Sequence, residues 1–406
     1  MSVATPITPR STRHAAGDRP PMHSGRRLAD MLRLSDAIGT PVSPPATAGE
    51  PRVTVLIPAH DEQEALPAAL ASLRWQAHRP ARVVVVADNC TDATVTVAAE
   101  LGAEVLVTRG NRDKKAGALN QALASVLPDL ADDELVMVMD ADSMIVPGFL
   151  AAATAHLRRD EGAGAIGGVF YGEAGGGLIG ALQRNEYARY AREVARKKGR
   201  AVVLTGTATV FRVPVLRAVA DARGTELPGE HGTIYDTLAL TEDNEITLAV
   251  KSLGWRTVSP RSCGVLTEIM PSWPALWKQR MRWQRGALDN LRHYGITRVT
   301  VPYIAKQTAM YLGIAAVVLF LTATVVFGLL GWLGLPSGVW WALPALFVTE
   351  RVWTVRRQGW TAMALAAPIV LEFAYDLVHQ GIYLVAALHA LTGRVAVWHH
   401  ADAGTG

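Results

Sequence analysis

The chain has 406 residues and a formal net charge of +4. That length exceeds one small domain, and a charge so small, with no long basic block interleaved with aromatics, gives nucleic-acid binding no support. Cys90 and Cys263 are the only cysteines, which excludes a disulfide framework and agrees with a reducing compartment.

Residues 1–49 are rich in Pro, Ser, Thr, Ala and Arg and read as a largely disordered arm with no apolar signal core. Within it, residues 26–38 set Leu28, Met31 and Leu32 at helical spacing beside Arg26, Arg27 and Arg33. A short basic amphipathic helix there lies on a membrane surface or packs on the domain that follows. Order begins at Arg52, with strands expected over 53–57 (broken by Pro58), 82–87, 104–108 and 135–139. Helices are expected over 64–75, 92–101 and 116–126. Alternation at this spacing predicts an α/β, doubly wound and largely parallel sheet whose carboxyl-end loops line one crevice.

The strand VMVMDAD ends that series in Asp140 and Asp142. Side chains alternate along an extended segment, so both acids project to one side. Two carboxylates at a strand's carboxyl end suit a hard divalent cation held against a phosphate, and equally an acidic turn. Other polar loops share that edge. Asp88 follows VVVV and is able to accept from a nucleobase N–H, and Asp92 is placed to cap the next helix. Lys114 or Lys115, with Gly117 and a helix start, offers positive charge and backbone N–H groups to a diphosphate, or is a solvated basic loop.

Beyond Asp142 the alternation fades. Residues 162–180 are glycine-rich and read as loops near a ligand or a surface linker. Residues 178–198 read as a helix with a cationic end, suited to a membrane interface. A strand over 201–204 leads to Thr205, Gly206 and Thr207, where Gly206 admits a close backbone approach. Thr241, Glu242 and Asp243 open a further helix. Lys278 to Arg285 put Gln279, Arg282 and Trp283 on neighbouring faces of another.

Taken in order, Asp88, Asp140-Ala141-Asp142, Thr241-Glu242-Asp243 and Gln279-Arg280-Met281-Arg282-Trp283 form the series D, D-x-D, T-E-D and Q-x-x-R-W. Over residues 52–300 the chain thereby resembles the membrane-integrated family 2 glycosyltransferases, the processive group of cellulose, chitin, hyaluronan and poly-N-acetylglucosamine synthases. The resemblance implies a GT-A-like nucleotide-sugar domain and a UDP-sugar donor. Pro58, His60, Glu62 and Asp88 would then bind the uridine, and Lys115, Asp140 and Gln279 would complete the donor site. Asp142 with Asp140 would hold Mg²⁺ or Mn²⁺. Asp243 would be the general base with Glu242 beside it, and Arg282 would neutralise the departing diphosphate. Thr205, Gly206, Thr207 and Trp283 would border the acceptor. Asp61, Asn89 and Cys90 depart from the residues more frequent in relatives.

A region free of Asp, Glu, Lys and Arg from Gln307 to Thr349 exceeds the roughly 20 residues that cross a bilayer. Spans are expected over 307–335, over 339–348 extended to Trp353, and over 360–391, which carries Glu372, Asp376 and His379. The domains expected are thus an arm over 1–49, a catalytic domain with interfacial helices over 50–302, and about three spans over 303–406. Lys278, Arg280, Arg282, Arg285, Arg292, Arg298 and Lys306 precede the apolar region and place the catalytic domain on the cytoplasmic side of the cytoplasmic membrane. The expected function is inverting transfer of a hexose or N-acetylhexosamine from a UDP-sugar to a growing β-linked glycan, with membrane lipids as further partners. Several polymer synthases use spans ahead of the catalytic domain, and residues 1–49 contain none. This keeps single addition to a lipid-linked or protein acceptor as an alternative, with an inactive membrane scaffold as a third reading.

Overall fold

The computed structural model describes residues 22–39, 49–332, 334 and 338–392. Most of the expected arm, at 1–21 and 40–48, lies outside the described residues. The chain divides into two compact units, Met1–Met270 and Pro271–Gly406.

The first unit opens with α1 (Met22–Ile38), then β1 (Val53–Ala59), α2 (Leu66–Arg74), β2 (Arg82–Ala87), α3 (Thr94–Glu100), β3 (Glu104–Val107), α4 (Lys114–Val126) and β4 (Leu135–Met139). It continues through β5 (Met144–Ile145), α5 (Phe149–Arg159), β6 (Ala163–Gly167), β7 (Val169–Gly172) and α6 (Gly177–Arg196). It ends with β8 (Ala208–Arg212), α7 (Val213–Ala222), α8 (Glu242–Ser252), β9 (Arg256–Val258) and β10 (Gly264–Thr267). Seven strands form one sheet in the order β3-β2-β1-β4-β8-β6-β9, and β5-β10-β7 form another. The apolar runs of β1 and β4 bury Val53, Val55, Ile57, Leu135, Met137 and Met139 in one core, as expected of strands covered on both faces.

The expectation of a largely parallel sheet holds for β3-β2-β1-β4 and fails at β8, which runs antiparallel to both β4 and β6. The sheet is therefore mixed. β1 is not broken at Pro58 but continues to Ala59 along β2. Its pairing with β4 ends at Leu56↔Val138, so the proline falls past the last pair on that side.

Residues 162–172 were expected as loops and instead carry β6 and β7. Their glycines answer to crowding. A Cβ at Gly164 would lie 2.7 Å from Trp255, one at Gly168 would lie 2.4 Å from Val265, and one at Gly172 would lie 2.6 Å from Ile269. Residues 201–204, expected as a strand, carry none, and the strand follows them as β8. α1 packs on this unit, with Met31 fully buried against Ala68, Met144, Val146 and Leu266.

The second unit holds α9 (Trp273–Tyr294), α10 (Val301–Leu329), α11 (Ala342–Val355), α12 (Trp360–Ala366) and α13 (Ile369–Leu391). Among the described residues α10 is the helix long and apolar enough to cross a membrane, and α12 with α13 pass the same test only when joined across a 73° bend. α11 has 14 residues, short of the roughly 20 that span a bilayer. Glu372 and His379 of α13 are buried, and Arg351 of α11 pairs with Asp376 at 2.6 Å and Glu372 at 3.5 Å.

Candidate active site

The carboxyl ends of β1, β2 and β4 bring the first group of expected residues together. Asp88 directly follows β2 and is buried. Its Oδ1 accepts from Thr108 Oγ1 at 2.7 Å, Asn111 Nδ2 at 2.8 Å and Asn89 Nδ2 at 3.1 Å. His60 Nδ1 donates to the Asp88 carbonyl at 2.6 Å. Pro58 lies within β1, and the Glu62 N–H donates to Thr94 Oγ1 at 2.8 Å.

Asp61 and Asn89, two of the departures, both have positive φ, which short polar side chains tolerate. The Asp61 carboxylate accepts from Thr91 N at 2.6 Å, Thr91 Oγ1 at 3.0 Å and Asp92 N at 3.1 Å. The Thr91 amide above all holds its pKa below the ordinary carboxylate value. Asp92, expected to cap α3, stands one residue before the N-cap Ala93 and accepts from Thr94 N, the first residue of the helix, at 2.9 Å.

At the centre, Lys115 near the start of α4 reaches Asp140 at 2.6 Å and Glu242 at 2.7 Å. Burial opposes its charge, but the two acids hold the ammonium protonated well above its ordinary range. Gly117 lets this loop close on its own helix, because a Cβ there would lie 2.1 Å from Asn111 Oδ1. The antiparallel β8 does the equivalent for the Thr205–Thr207 loop. Met139 pairs with Ala208, and Asp140 N donates to Thr207 O at 3.2 Å, so Thr205 to Thr207 stand beside the D-x-D acids.

Gly206 lies between these groups. A Cβ on it would be 3.1 Å from Lys115 Nζ, 3.5 Å from Asp140 Oδ2 and 3.7 Å from Asp243 Cβ. Gly206 N donates to Asp243 Oδ2 at 3.3 Å and Asn244 N donates to Oδ1 at 2.7 Å. Thr207 Oγ1 donates to Thr205 Oγ1 at 2.9 Å. Burial, then the charge of Glu242, raises Asp243 to about 6. A carboxylate so tuned is a stronger base than an ordinary surface acid.

Asp142 faces a different environment. Its carboxylate accepts from Ser143 Oγ at 3.0 Å, and burial and the charge of Glu268 raise its pKa. Glu62 is pushed up to about 8, first by burial and then by Asp142, Glu268 and Asp140. Burial also raises Glu173 and Glu268, while Arg27 from α1 opposes the rise in all three glutamates. Arg27 pairs with Glu173 and donates to the Asp142 carbonyl. Hard oxygens crowded with so little compensating charge fit a divalent cation that keeps waters and phosphate oxygens as its other ligands.

A second cluster, Asp61, Cys90 and Asp92, has ligand atoms within 4.8 Å of one another. Its chemistry suits that role less. Burial raises the Cys90 thiol, whose Sγ donates to Ala59 O at 3.3 Å, and local N–H groups occupy both carboxylates.

Gln279, Arg282 and Trp283 lie on α9, in the second unit. Gln279 Oε1 accepts from Arg280, whose guanidinium stands 4.2 Å from the Trp283 ring centroid. Several supporting residues escaped sequence reasoning. Asn111 and Thr108 fix Asp88, Arg27, Glu173 and Glu268 surround Asp142, and Asn120 Oδ1 accepts from Tyr235 N at 2.9 Å. Glu245, fully buried with Arg223, pairs with it through two bonds and anchors α8 behind Asp243. A charged residue inside an apolar helix face was the available signal for Glu245; its partner, 22 positions away, left none.

Residues 51–286, more than half of the chain, match the family described as Glycosyltransferase like family 2. The chain belongs to that family. It is 27% identical over 250 residues to the probable glycosyltransferase YdaM of Bacillus subtilis (strain 168), covering 58% of this chain and 55% of that protein. It is 23% identical over 243 residues to the poly-beta-1,6-N-acetyl-D-glucosamine synthase of Staphylococcus aureus (strain COL), covering 59% of this chain and 55% of that one. The chain spans about half the length of the curated relatives it matches. Among solved structures, the mannosyltransferase PcManGT from Pyrobaculum calidifontis, in complex with GDP-Man and Mn²⁺, shares the fold. Its TM-score is 0.54 at 19% identity, with 92% of this chain and 96% of that chain covered.

Proposed function

We propose that this chain is an inverting, metal-dependent transferase that moves a hexose or N-acetylhexosamine from a UDP-sugar to a growing β-linked glycan at the cytoplasmic membrane face. The observation that carries this reading is the meeting of Lys115, Asp140, Gly206, Glu242 and Asp243 at one strand edge. Buried Asp88, fixed by Thr108 and Asn111, presents an acceptor suited to a base N–H, His60 bonds to its carbonyl, and the resemblance adds Pro58 and Glu62 to the uridine loops. Lys115 supplies positive charge for the diphosphate.

Asp243 takes the proton of the acceptor hydroxyl as its oxygen bonds to the anomeric carbon, and the nucleoside diphosphate departs from the opposite face with its electron pair. One such displacement inverts the anomeric centre, so an α-linked donor gives a β-linked product. Asp142, with Asp140, would hold Mg²⁺ or Mn²⁺, which supplies charge stabilisation to the departing diphosphate when bound. The resemblance assigns Gln279 and Arg282 of α9 to the diphosphate and Trp283 to the acceptor sugar, to which an indole would offer an aromatic face. The apolar helix α10, preceded by basic residues from Lys278 to Lys306, supports membrane attachment with the first unit cytoplasmic.

The test is UDP release by the detergent-purified full chain with Mn²⁺ or Mg²⁺, offered UDP-glucose, UDP-N-acetylglucosamine and UDP-glucuronate, with products sized on a gel. Metal-dependent release from one donor with a ladder of products is expected. A single short product would replace chain extension with addition to one lipid-linked or protein acceptor. No release from any donor, with lipid and oligosaccharide acceptors supplied, would remove the UDP-sugar reading.

A further inference from the structure

The small sheet β5-β10-β7 gathers acids at one end. Leu266 of β10 pairs with Met144 of β5, and Thr267 pairs with Gly172 of β7. Glu268 and Glu173 follow the last paired residues of β10 and β7, and Asp142 stands two residues before the antiparallel β5, at the same end. Arg27 enters this group from α1, a helix that precedes the residues matching the family. Its Nε donates to Glu173 Oε1 at 2.5 Å and its Nη2 donates to the Asp142 carbonyl. The Arg27 and Glu173 side chains are 15% and 16% exposed, so solvent screens this pair less than a surface one.

The neighbouring groups keep their places through other contacts. α1 is anchored by Met31, buried against Ala68, Met144, Val146 and Leu266, with Leu28, Leu32 and Ile38 packed around it. Ser143 N donates to Asp140 O at 3.2 Å, and Ser143 Oγ donates to Asp142 Oδ1 at 3.0 Å, which fixes the Asp142 turn. Glu173 N donates to Thr267 O at 3.0 Å, and the Glu173 carbonyl accepts from Arg184 Nη1 at 2.9 Å. With backbone and helix held in these ways, what Arg27 adds is its charge.

We propose that Arg27 is a resident counter-ion of the acidic wall, offsetting the charge that draws a divalent cation to Asp142 and so weakening cation binding to the nucleotide-free chain. A guanidinium and a divalent cation repel at this range, and part of the acids' attraction is already spent on the arginine. A nucleoside diphosphate brings its own negative oxygens, so the cation is held most firmly together with its nucleotide. Arg27 touches no reacting atom and acts through the wall's charge. The inference rests on the reading of Asp142 as a cation ligand and is independent of the sugar and the acceptor.

The experiment titrates Mn²⁺ by calorimetry into the detergent-solubilised full chain without nucleotide, with thermal melts to show that each variant is folded. Arg27→Met keeps the length of the side chain and removes its charge, and is expected to bind Mn²⁺ about tenfold more tightly than the wild type. Its unfolding temperature should also rise more on adding Mn²⁺. Arg27→Lys keeps the charge and should stay within about threefold of the wild type. Glu173→Gln removes an acid and should weaken binding by about threefold to tenfold, and joined to Arg27→Met it should bring the affinity back toward the wild type. A loosened scaffold would lower the affinity in Arg27→Met, and a second substitution would not cure it. Unchanged or weaker Mn²⁺ binding by folded Arg27→Met overturns the proposal; if that variant does not fold, unchanged binding by Glu173→Gln does so. Asp142→Asn separates the two readings. Wild-type Mn²⁺ affinity there, with Arg27→Met still tighter, removes Asp142 as a ligand and leaves the counter-ion role standing, whereas Mn²⁺ binding by none of these chains removes both.

Discussion

The two acids of the D-x-D segment stand one residue apart and meet opposite surroundings. On the Asp140 side, Lys115 bridges Asp140 and Glu242, and Gly206 brings the Thr205–Thr207 loop against Asp243. On the Asp142 side, Glu62, Glu173 and Glu268 gather around one arginine, Arg27. Alternation along a strand explains why both acids face the crevice, but the division of labour comes from what packs beside each. A wall that already holds its own cation is organised for phosphate and proton chemistry. A wall whose carboxylates repel one another is organised to recruit a cation.

Breaking the proposed base, Asp243, should have the largest effect. Asp243→Asn is expected to lower kcat by about 10² to 10⁴, the usual contribution of a positioned proton acceptor, while UDP binding measured by equilibrium dialysis stays at the wild-type value. Asp142→Asn attacks the other wall. It should lower kcat/KM by about 10² to 10³ and move the Mn²⁺ activation curve to higher concentration.

Lys115→Met sharpens the contrast through stability. Asp140 and Glu242 are left facing each other, and the unfolding temperature should fall by about 3–8 °C, the shift expected for a loss of about 1–2 kcal/mol. Adding Asp140→Asn to that variant should return part of the loss; an unchanged or larger loss would mean that Lys115 acts through packing alone.

The pH effects are smaller and have opposite signs on the two walls. A base must be deprotonated, so kcat/KM should rise with pH through about 6 as Asp243 loses its proton. Glu62 is raised from 4.5 to about 8 in the folded chain, so the folded state holds the extra proton in that window. Without divalent cation, stability should therefore fall as pH rises from about 4.5 to about 8. Mn²⁺ should flatten the fall, as followed by thermal melts in a pH series with and without the metal.

The first half of the catalytic unit was legible because its strands are continuous apolar runs with polar loops at one end. β1, β2, β3 and β4 all appear near the positions their hydrophobic pattern indicates. The second half was not. β6, β7 and the residue between them carry Gly164, Gly167, Gly168 and Gly172, which copy the composition of a loop and in fact clear space for Trp255, Ser259, Val265 and Ile269. The direction of β8 depends on pairing with β4, about 70 residues away in the chain, and no local pattern encodes it. The D-x-D and T-E-D acids were readable as motifs, yet Arg27 sits in a stretch read as an arm, and its pairing with Glu173 spans 146 positions.

The most direct test of the two-wall account is UDP binding by titration calorimetry, with and without Mn²⁺, on Asp142→Asn and Asp243→Asn side by side. The account predicts that Asp243→Asn keeps the full Mn²⁺ enhancement of UDP affinity while making no product, and that Asp142→Asn loses the enhancement. Undiminished Mn²⁺ enhancement in Asp142→Asn, or near-normal turnover in Asp243→Asn, would contradict it.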